Sequence, residues 1–362
     1  MTDAEMAGAE TSLSDFTTFR CSEIAPPAPS ASQYNVGVSA AASAYAKSVR
    51  NFDNYSCVGP VKKDADKSFA KAVQQMQAAS RLGPAGGGSV MAKKTGKRAF
   101  IMRHGERMDR LFPEWLTMAI TDQGTYMPYD MNMPLVMIDR SSMGGWNAYE
   151  YDSPVTEMGN LSGQMIGRGL KSCGIDIKSL YCSPSLRCVQ TASGVLKTLE
   201  NMDVRINVEP GLFEWLAWYD SMPKWLDASV LVQAKHRVNE QYQPVMTVSE
   251  LAGKKAESTK EYYERISNVV KKIVEKQTGA GSILIVGHGS TMDAGVRSLI
   301  GKPASEINRG EMDQMGMHYP YCSIVAAEEG QGQKWAVQPA VLPQLTFLGF
   351  SNRFNPDYLN RP

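Results

Sequence analysis

Two short apolar runs, each followed by a histidine beside a glycine, constrain the fold of this 362-residue chain more than any other feature. Residues 99–102 lead into Arg103-His104-Gly105-Glu106-Arg107. Residues 283–286 lead into Gly287-His288-Gly289-Ser290. Apolar runs of this length are typical of strands buried in a sheet. Because open α/β sheets bind ligands where their strands end, both histidines are predicted to lie in one functional site.

Apolar runs alternate with helical patterns along the second part of the chain. This alternation predicts an α/β fold with a doubly wound, mostly parallel sheet and helices on both faces. The predicted strands are 99–102, 177–181, 205–209, 283–286 and 323–327, and 334–338 can pair with the last of them. The predicted helices are 156–173, 186–200, 259–277 and 292–300. Two insertions, between 107 and 154 and from 216 to 257, have the length of lids or specificity walls.

The residues near the first histidine indicate a site for a phosphate monoester. Such a group carries about −1.5 to −2 charges at neutral pH and has three strong acceptor oxygens. Arg103 and Arg107 flank His104 and can supply forked, permanently charged donors. Arg187 adds a third guanidinium at the start of a predicted helix. Since His104 must be neutral to attack phosphorus whereas His288 is more useful when protonated, we expect the two imidazoles to differ in protonation state.

Five motifs, in this order, resemble those of the histidine phosphatase superfamily, whose fold is that of the phosphoglycerate mutases. They are RHGERMD at 103–109, SPVTEMG at 153–159, SPSLRCVQTA at 183–192, EPGLFEW at 209–215 and LIVGHGSTMD at 284–293. The motifs are most similar to those in the phosphatase domain of the suppressors of T-cell receptor signalling, also called ubiquitin-associated and SH3 domain-containing proteins. The ecdysteroid-phosphate phosphatases share them. The resemblance extends from about residue 98 to the C-terminus.

The resemblance implies a role for each matching residue. His104 is implied to be the nucleophile, forming a phosphohistidine that water then hydrolyses. The implied phosphate pocket consists of Arg103, Arg107, Arg187 and His288. Glu214 matches the proton donor to the leaving oxygen, so that His104, Glu214 and His288 form the predicted catalytic set. A carboxyl group that arrives protonated needs a raised pKa, which a nearby phosphate dianion would favour.

A metal site is the competing interpretation of histidines near carboxylates. The sequence contains no HExxH, CxxC or His-x-His pattern, and clustered arginines would repel a divalent cation, so we expect neither a metal nor another cofactor. The six cysteines are scattered without close pairs, which is typical of a reducing compartment. Cys188, next to Arg187, is a candidate for a lowered thiol pKa and for oxidation.

The chain before about residue 95 has a different composition, rich in Ala, Ser, Pro and Gly. We predict that residues 1–95 are a largely disordered tail with a possible short helix at 66–82, and that 96–362 form the phosphatase domain. The resembling proteins also contain ubiquitin-binding and SH3 modules. We recognise neither module in the tail, so we do not expect this chain to bind the adaptor partners of those proteins. The resemblance also implies a possible homodimer.

The net charge of +1 gives no indication of nucleic-acid binding. The first residues do not read as a secretory signal, and no uninterrupted apolar run of about 18 residues indicates a membrane span, so we expect a cytoplasmic protein.

Aromatic residues of the two insertions could line a cleft for an aromatic or steroid group: Phe112, Trp115, Tyr126, Trp146, Tyr149, Trp215, Trp218 and Trp225.

These observations favour a phosphomonoesterase for phosphotyrosine-like or bulky, steroid-type alcohol phosphates, with a phosphorylated protein or a small molecule as substrate. An aromatic cleft would not suit 3-phosphoglycerate, which is small and twice anionic. The alternative is a weakly active or inactive phosphatase fold that serves as a binding module.

Overall fold

The computed structural model describes residues 96–279, 281–302, 307–338 and 341–347, together with 350, 351, 355, 358, 359 and 361. The predicted tail at 1–95 and its helix at 66–82 lie outside the described residues. The disordered tail and the domain boundary near residue 95 therefore stay predictions.

A six-stranded sheet forms the centre of the described part. Its strands are β1 (Lys97–Arg103), β2 (Ile177–Cys182), β3 (Ile206–Val208), β4 (Gly281–Gly287), β5 (Ile324–Glu329) and β6 (Trp335–Gln338). Their order across the sheet is β3-β2-β4-β1-β5-β6. The four strands from β3 to β1 are parallel, whereas β5 runs antiparallel to both β1 and β6. The prediction of a mostly parallel sheet is confirmed. A separate two-stranded ribbon consists of β7 (Thr346–Phe347) and β8 (Phe350–Ser351).

Ten α-helices surround this sheet in the described ranges. They are α1 (Met108–Leu111), α2 (Trp115–Met118), α3 (Glu157–Ser172), α4 (Leu186–Leu199), α5 (Ala228–Gln233), α6 (Val248–Ala252), α7 (Thr259–Lys276), α8 (Gly289–Leu299), α9 (Arg309–Asp313) and α10 (Met315–His318). The four long ones are the helices predicted from the sequence. Ser258 and Glu261 form a capping box that starts α7, because each side chain accepts a backbone N–H of the first turn.

The two faces of the sheet belong to different apolar layers. Successive side chains of a strand point to opposite faces. Phe100 and Met102 therefore pack in one layer with side chains of α3 and α4, while Ala99 and Ile101 pack in the other layer with α7 and α8. In the described part of the chain, helices thus cover both faces of the sheet and leave its strand ends accessible for a site.

The first insertion is attached to the helix that carries Arg187. Arg140 donates from Nη2 to Asp152 Oδ2 at 2.6 Å and from Nη1 to the Ala148 carbonyl at 2.8 Å. The other oxygen of Asp152 accepts the backbone N–H of Leu186 at 2.7 Å, at the first residue of α4. A buried carboxylate therefore joins the insertion to the start of this helix.

Candidate active site

The two predicted histidines meet at the carboxyl ends of neighbouring strands. β1 and β4 pair in parallel with Arg103 opposite Gly287, and the backbone N–H of His104 donates to the Gly287 carbonyl at 3.0 Å. The His104 and His288 rings lie edge to face, with centroids 5.3 Å apart. Both side chains are buried. The register of the sheet therefore places both imidazoles in one pocket.

His104 presents one ring nitrogen to that pocket. Its Nδ1 lies 2.8 Å from the Gly105 carbonyl. A carbonyl only accepts, so we assign the proton to Nδ1, which leaves a lone pair on Nε2. Burial, reinforced by the charges of Arg187 and Arg103, holds the pKa of His104 well below its usual value. The imidazole is neutral, as a nucleophile requires.

The loop after β1 packs closely against α3. A Cβ atom on Gly105 would lie 2.5 Å from the carbonyl oxygen of Gly159, so no larger residue fits there without a shift of the backbone. Glu106 fixes the loop from the other side, because its Oε1 accepts from Thr156 Oγ1 at 2.7 Å and from Asn132 Nδ2 at 3.0 Å. The motif at 153–159 thus supports the histidine loop.

Arg103 is held by the chain around α10. Its Nη1 donates to the carbonyls of Gly316 at 2.9 Å and Tyr319 at 2.7 Å. Its guanidinium carbon lies 4.3 Å from the centre of the Tyr321 ring, which is also 5.7 Å from the His104 ring. These contacts fix the orientation of the guanidinium beside the nucleophile.

Arg107 is held by Asp109, a residue that sequence reasoning did not assign to the site. Asp109 accepts from Nε at 2.9 Å and from Nη2 at 2.6 Å, a two-point ion pair. Nη1 remains directed toward Glu214, whose Oε1 is 3.9 Å away. Burial opposes ionisation of Arg107, but Asp109 outweighs it and raises the guanidinium pKa well above its usual value. The sequence signal for this ion pair was the aspartate two residues after an arginine of the predicted phosphate pocket.

Arg187 is the most deeply buried of the three arginines. Its Nη2 donates to Glu214 Oε1 and lies 3.3 Å from both Tyr219 Oη and His288 Nδ1. Its Nε and Nη1 find no hydrogen-bond partner among the described residues. Since buried donors are nearly always satisfied, these two N–H groups are suited to the oxygens of an anion.

Glu214 lies between Arg187, Arg107 and His288, with its Oε2 3.5 Å from His288 Nδ1. Arg265 fixes the preceding backbone, because its Nη1 donates to the carbonyls of Gly211 at 2.8 Å and Phe213 at 2.9 Å. The loop position of the carboxyl group is therefore set by a buried guanidinium of α7.

The pKa of Glu214 is shifted in the direction opposite to the one expected from its predicted role. Burial alone would raise it, but His288, Arg187 and Arg107 outweigh burial and hold it far below its usual value. The carboxylate acts as the counter-ion of the arginines in the protein without substrate. Glu209, five residues earlier, has a different environment, since its two oxygens accept backbone N–H groups of Gly211, Val245 and Met246 and the Tyr242 hydroxyl.

His288 differs from His104 in tautomer rather than in charge. Arg187 Nη2 can only donate to His288 Nδ1, so we place the proton on Nε2, which donates to Ser183 Oγ at 2.8 Å. Burial and the arginines hold the pKa of His288 well below its usual value, although Glu214 acts in the other direction. The expectation of a protonated His288 is therefore wrong for the protein without substrate. Three guanidinium groups around a buried ring disfavour a fourth positive charge.

Cys188 lies in an environment that disfavours its thiolate form. Its Sγ lies 3.6 Å from the Gly287 carbonyl and 3.8 Å from His288 Nε2, in a fully buried position. Burial raises the pKa of the thiol to about 12, against the opposing effect of Arg187. The hypothesis of a lowered thiol pKa is wrong, because desolvation outweighs one nearby charge.

Most aromatic residues of the first insertion pack against one another. Trp115, Tyr126, Trp146 and Tyr149 form a cluster with ring centroids 5.6–6.4 Å apart. The rings next to the site histidines come from elsewhere, since Phe213 lies 5.4 Å from His288 and Tyr321 lies beside His104. Three residues of the second insertion region were also predicted to line the cleft. The Trp225 ring packs against Phe213 with centroids 4.7 Å apart, and the Trp215 ring packs against Trp218 with centroids 5.7 Å apart.

The remaining histidines, His236 and His318, have their partners outside this site. His236 Nδ1 is 2.7 Å from Ser193 Oγ, and His318 stacks on Tyr358. No group of three or more His, Cys, Asp or Glu side chains in the described ranges is arranged to hold a metal ion. None of the helices described is long and apolar enough to cross a membrane.

The fold and the site together define the class of the protein, an α/β fold with two histidines and three arginines gathered at the ends of parallel strands. Residues 143–337 match the family model of the histidine phosphatase superfamily, branch 1, and the chain belongs to this family. The matched range contains Arg187, Glu214 and His288, whereas His104 precedes it. The assignment of His104 therefore depends on the geometry described above.

Individual relatives extend this similarity. The chain is 39% identical over 250 residues to an ecdysteroid-phosphate phosphatase of Drosophila melanogaster, covering 68% of this chain and 32% of that protein. It is 38% identical over 251 residues to human ubiquitin-associated and SH3 domain-containing protein B, covering 67% of this chain and 38% of that protein. The match thus spans only about a third of the length of these two curated relatives.

A solved structure matches over nearly its full length. The ecdysone phosphate phosphatase from Bombyx mori, in complex with tungstate, is 30% identical and superposes with a TM-score of 0.59. The match covers 73% of this chain and 99% of the silkworm chain.

Proposed function

We propose that this protein is a phosphomonoesterase that works through a phosphohistidine at His104. The observation that carries the proposal is the state of this residue: a buried, neutral imidazole whose Nδ1 is fixed on the Gly105 carbonyl and whose Nε2 is unprotonated among three arginines. A neutral nucleophile inside a cationic pocket is suited to attack a phosphate dianion.

In the first half-reaction, the non-bridging phosphate oxygens bind the guanidinium groups of Arg103, Arg107 and Arg187, with His288 beside them. A bond forms between His104 Nε2 and phosphorus as the bond from phosphorus to the leaving oxygen breaks. Glu214 gives its proton to that oxygen. In the second half-reaction the Glu214 carboxylate takes a proton from water, whose oxygen attacks phosphorus and releases His104 and inorganic phosphate.

In this proposal substrate binding raises the pKa of Glu214, so that the carboxylate takes up its proton from solvent. Without substrate, His288 and the guanidinium groups of Arg187 and Arg107 face the carboxylate and lower its pKa. A phosphate dianion brings about two negative charges into the same pocket and shares the arginines. Both effects raise the pKa of Glu214, so the dianion favours the protonated carboxyl that the first half-reaction needs.

Phosphotyrosine-like or bulky alcohol phosphates are the proposed substrates, on a small molecule or on a protein. Tyr321, a half-buried aromatic ring 5.7 Å from the His104 ring, supports a large apolar leaving group. The names of two relatives contain ecdysteroid or ecdysone phosphate, and tungstate, in the silkworm complex, is a tetrahedral oxyanion like phosphate. The first similarity favours an ester of a bulky alcohol, and the second favours a tetrahedral oxyanion in the pocket.

The test is hydrolysis of p-nitrophenyl phosphate, a phosphotyrosine peptide, a steroid phosphate and 3-phosphoglycerate without added metal. We expect His104→Ala to abolish turnover, and His236→Ala, which removes a histidine outside the site, to retain it. Wild-type protein quenched in denaturant should carry an acid-labile phosphoryl group that His104→Ala lacks. Turnover that survives His104→Ala would refute the proposed nucleophile. Binding of the substrates with no turnover would instead favour the binding-module alternative.

A further inference from the structure

The hydroxyl group of Tyr219 lies in the site but has no role in the reaction proposed above. Tyr219 is buried in the second insertion, directly after the 3-10 helix at Leu216–Trp218. Its Oη donates to Glu214 Oε1, the oxygen that also accepts from Arg187 Nη2. Burial and the Glu214 charge raise the pKa of the phenol, so it remains a donor. One carboxyl oxygen therefore receives two donors from the protein.

The other oxygen of Glu214 is held more loosely. Oε2 lies 3.5 Å from Nδ1 of His288, a nitrogen that the hydrogen-bond network leaves without a proton. A protonated carboxyl group carries its proton on one oxygen only, and an oxygen that already accepts two hydrogen bonds is the poorer place for it. Oε2 is therefore the oxygen that can hold a transferable proton.

The position of the Tyr219 ring is fixed independently of Glu214. The ring lies edge to face against Tyr151 with centroids 5.7 Å apart and is tilted against Phe213 at 5.2 Å. Its backbone carbonyl accepts a hydrogen bond from Lys255 Nζ. The hydroxyl is therefore presented to the carboxyl group by a rigid support rather than by a free side chain.

We propose that Tyr219 is a positioning residue that holds Glu214 Oε1 and thereby assigns proton transfer to Oε2. This inference rests on the proposed phosphatase function and adds to it the oxygen that acts and the residue that selects it. Tyr219 itself touches neither the phosphoryl group nor the nucleophile in this proposal; it acts through Glu214.

The charged and titratable groups that face Glu214 come from several elements. They are Arg187 of α4, His288 at the end of β4 and Arg107 after β1, with Arg103, Tyr262 and Cys188 as further neighbours of the carboxyl group. Tyr219→Phe removes a donor to the ionised carboxylate and the 3.3 Å contact of the hydroxyl with Arg187 Nη2, but it keeps all of these titratable and charged groups. Since a hydrogen bond to the charged form lowers a carboxyl pKa, the pH limb that reports Glu214 should move to higher pH.

The experiment compares Tyr219→Phe with wild type on p-nitrophenyl phosphate and on phenethyl phosphate, whose alkoxide leaves poorly without a proton. We expect kcat/KM to fall about tenfold or more on phenethyl phosphate, little on p-nitrophenyl phosphate, and inhibition by inorganic phosphate to be unchanged. Tyr151→Phe is the matched control, because it removes a neighbouring hydroxyl that contacts Asp220 rather than Glu214. Thermal unfolding of each variant checks that the fold is retained.

A double variant separates positioning from general support of the fold. If Tyr219 acts through Glu214, adding Tyr219→Phe to Glu214→Gln should change kcat/KM on phenethyl phosphate no further. An equal loss on both substrates, an unshifted pH profile, or a full additional loss in the Glu214→Gln background would overturn the positioning role alone. Absence of His104-dependent turnover in wild type would overturn the proposed function and this inference together.

Discussion

Replacing Asp109 with asparagine tests whether the hold on Arg107 determines phosphate binding. Asp109 accepts from Arg107 Nε at 2.9 Å and from Nη2 at 2.6 Å, and the two side chains are only 23% and 12% exposed. Asparagine keeps the shape and one acceptor but directs an amide donor at a guanidinium donor. Losing one charge-assisted hydrogen bond costs about 1.5–3 kcal/mol. Because about 1.4 kcal/mol corresponds to a factor of ten, we expect kcat/KM to fall about ten- to a hundredfold.

The assay is steady-state hydrolysis of p-nitrophenyl phosphate, with competitive inhibition by inorganic phosphate as a separate measure of the pocket. A less well held Arg107 binds the phosphoryl group more weakly before and during reaction, so both KM and the inhibition constant should rise. Asp139→Asn is the control, since this exposed aspartate also accepts from a residue two positions on, Ser141, outside the site. Unchanged inhibition by phosphate in folded Asp109→Asn would refute the reasoning.

Three further predictions follow from the site. Glu214→Gln should lose kcat/KM about a hundredfold or more on alkyl phosphates and much less on p-nitrophenyl phosphate, and equal losses in a leaving-group series would contradict the general-acid role. Since burial holds the pKa values of His104 and His288 below their unfolded value near 6.5, the unfolded chain binds more protons below that pH. The free energy of unfolding should therefore fall as pH drops through about 6.5, and less so in His288→Gln, as urea titrations across pH can measure. Mild peroxide should leave activity unchanged because the Cys188 thiol is buried and protonated, and inactivation prevented by Cys188→Ser would show otherwise.

Much of the fold could be predicted because apolar runs and helical periodicity report burial directly. The observed β1 and β4 extend the predicted runs 99–102 and 283–286 by one or two residues at each end. The meeting of His104 with His288 follows from the same fact, since parallel strands end at one edge of a sheet. Local pattern and strand direction were sufficient for this part of the site.

The rest of the site depends on where the side chains of long loops contact the folded domain, and no local sequence pattern encodes those positions. Lys255, near the far end of the second insertion, reaches back to the carbonyl of Tyr219, and the aromatic residues of the first insertion pack with one another instead of at the histidines. Protonation states were missed for a related reason. Residue types predicted the charges, but the neutral state of His288 depends on complete burial beside three arginines, a three-dimensional property.

Asp152 gives the molecule a constraint on how its parts can be exchanged. Since one carboxylate serves both Arg140 of the first insertion and the first backbone N–H of α4, a chimera that replaces residues 112–150 with a foreign loop lacking the arginine would leave this buried charge unpaired. The unpaired carboxylate would disturb the start of α4 and therefore displace Arg187, the second residue of that helix. We expect such a chimera to bind phosphate more weakly, rather than to change its substrate preference. Loop grafting here transfers specificity only when Arg140 is transferred with the loop.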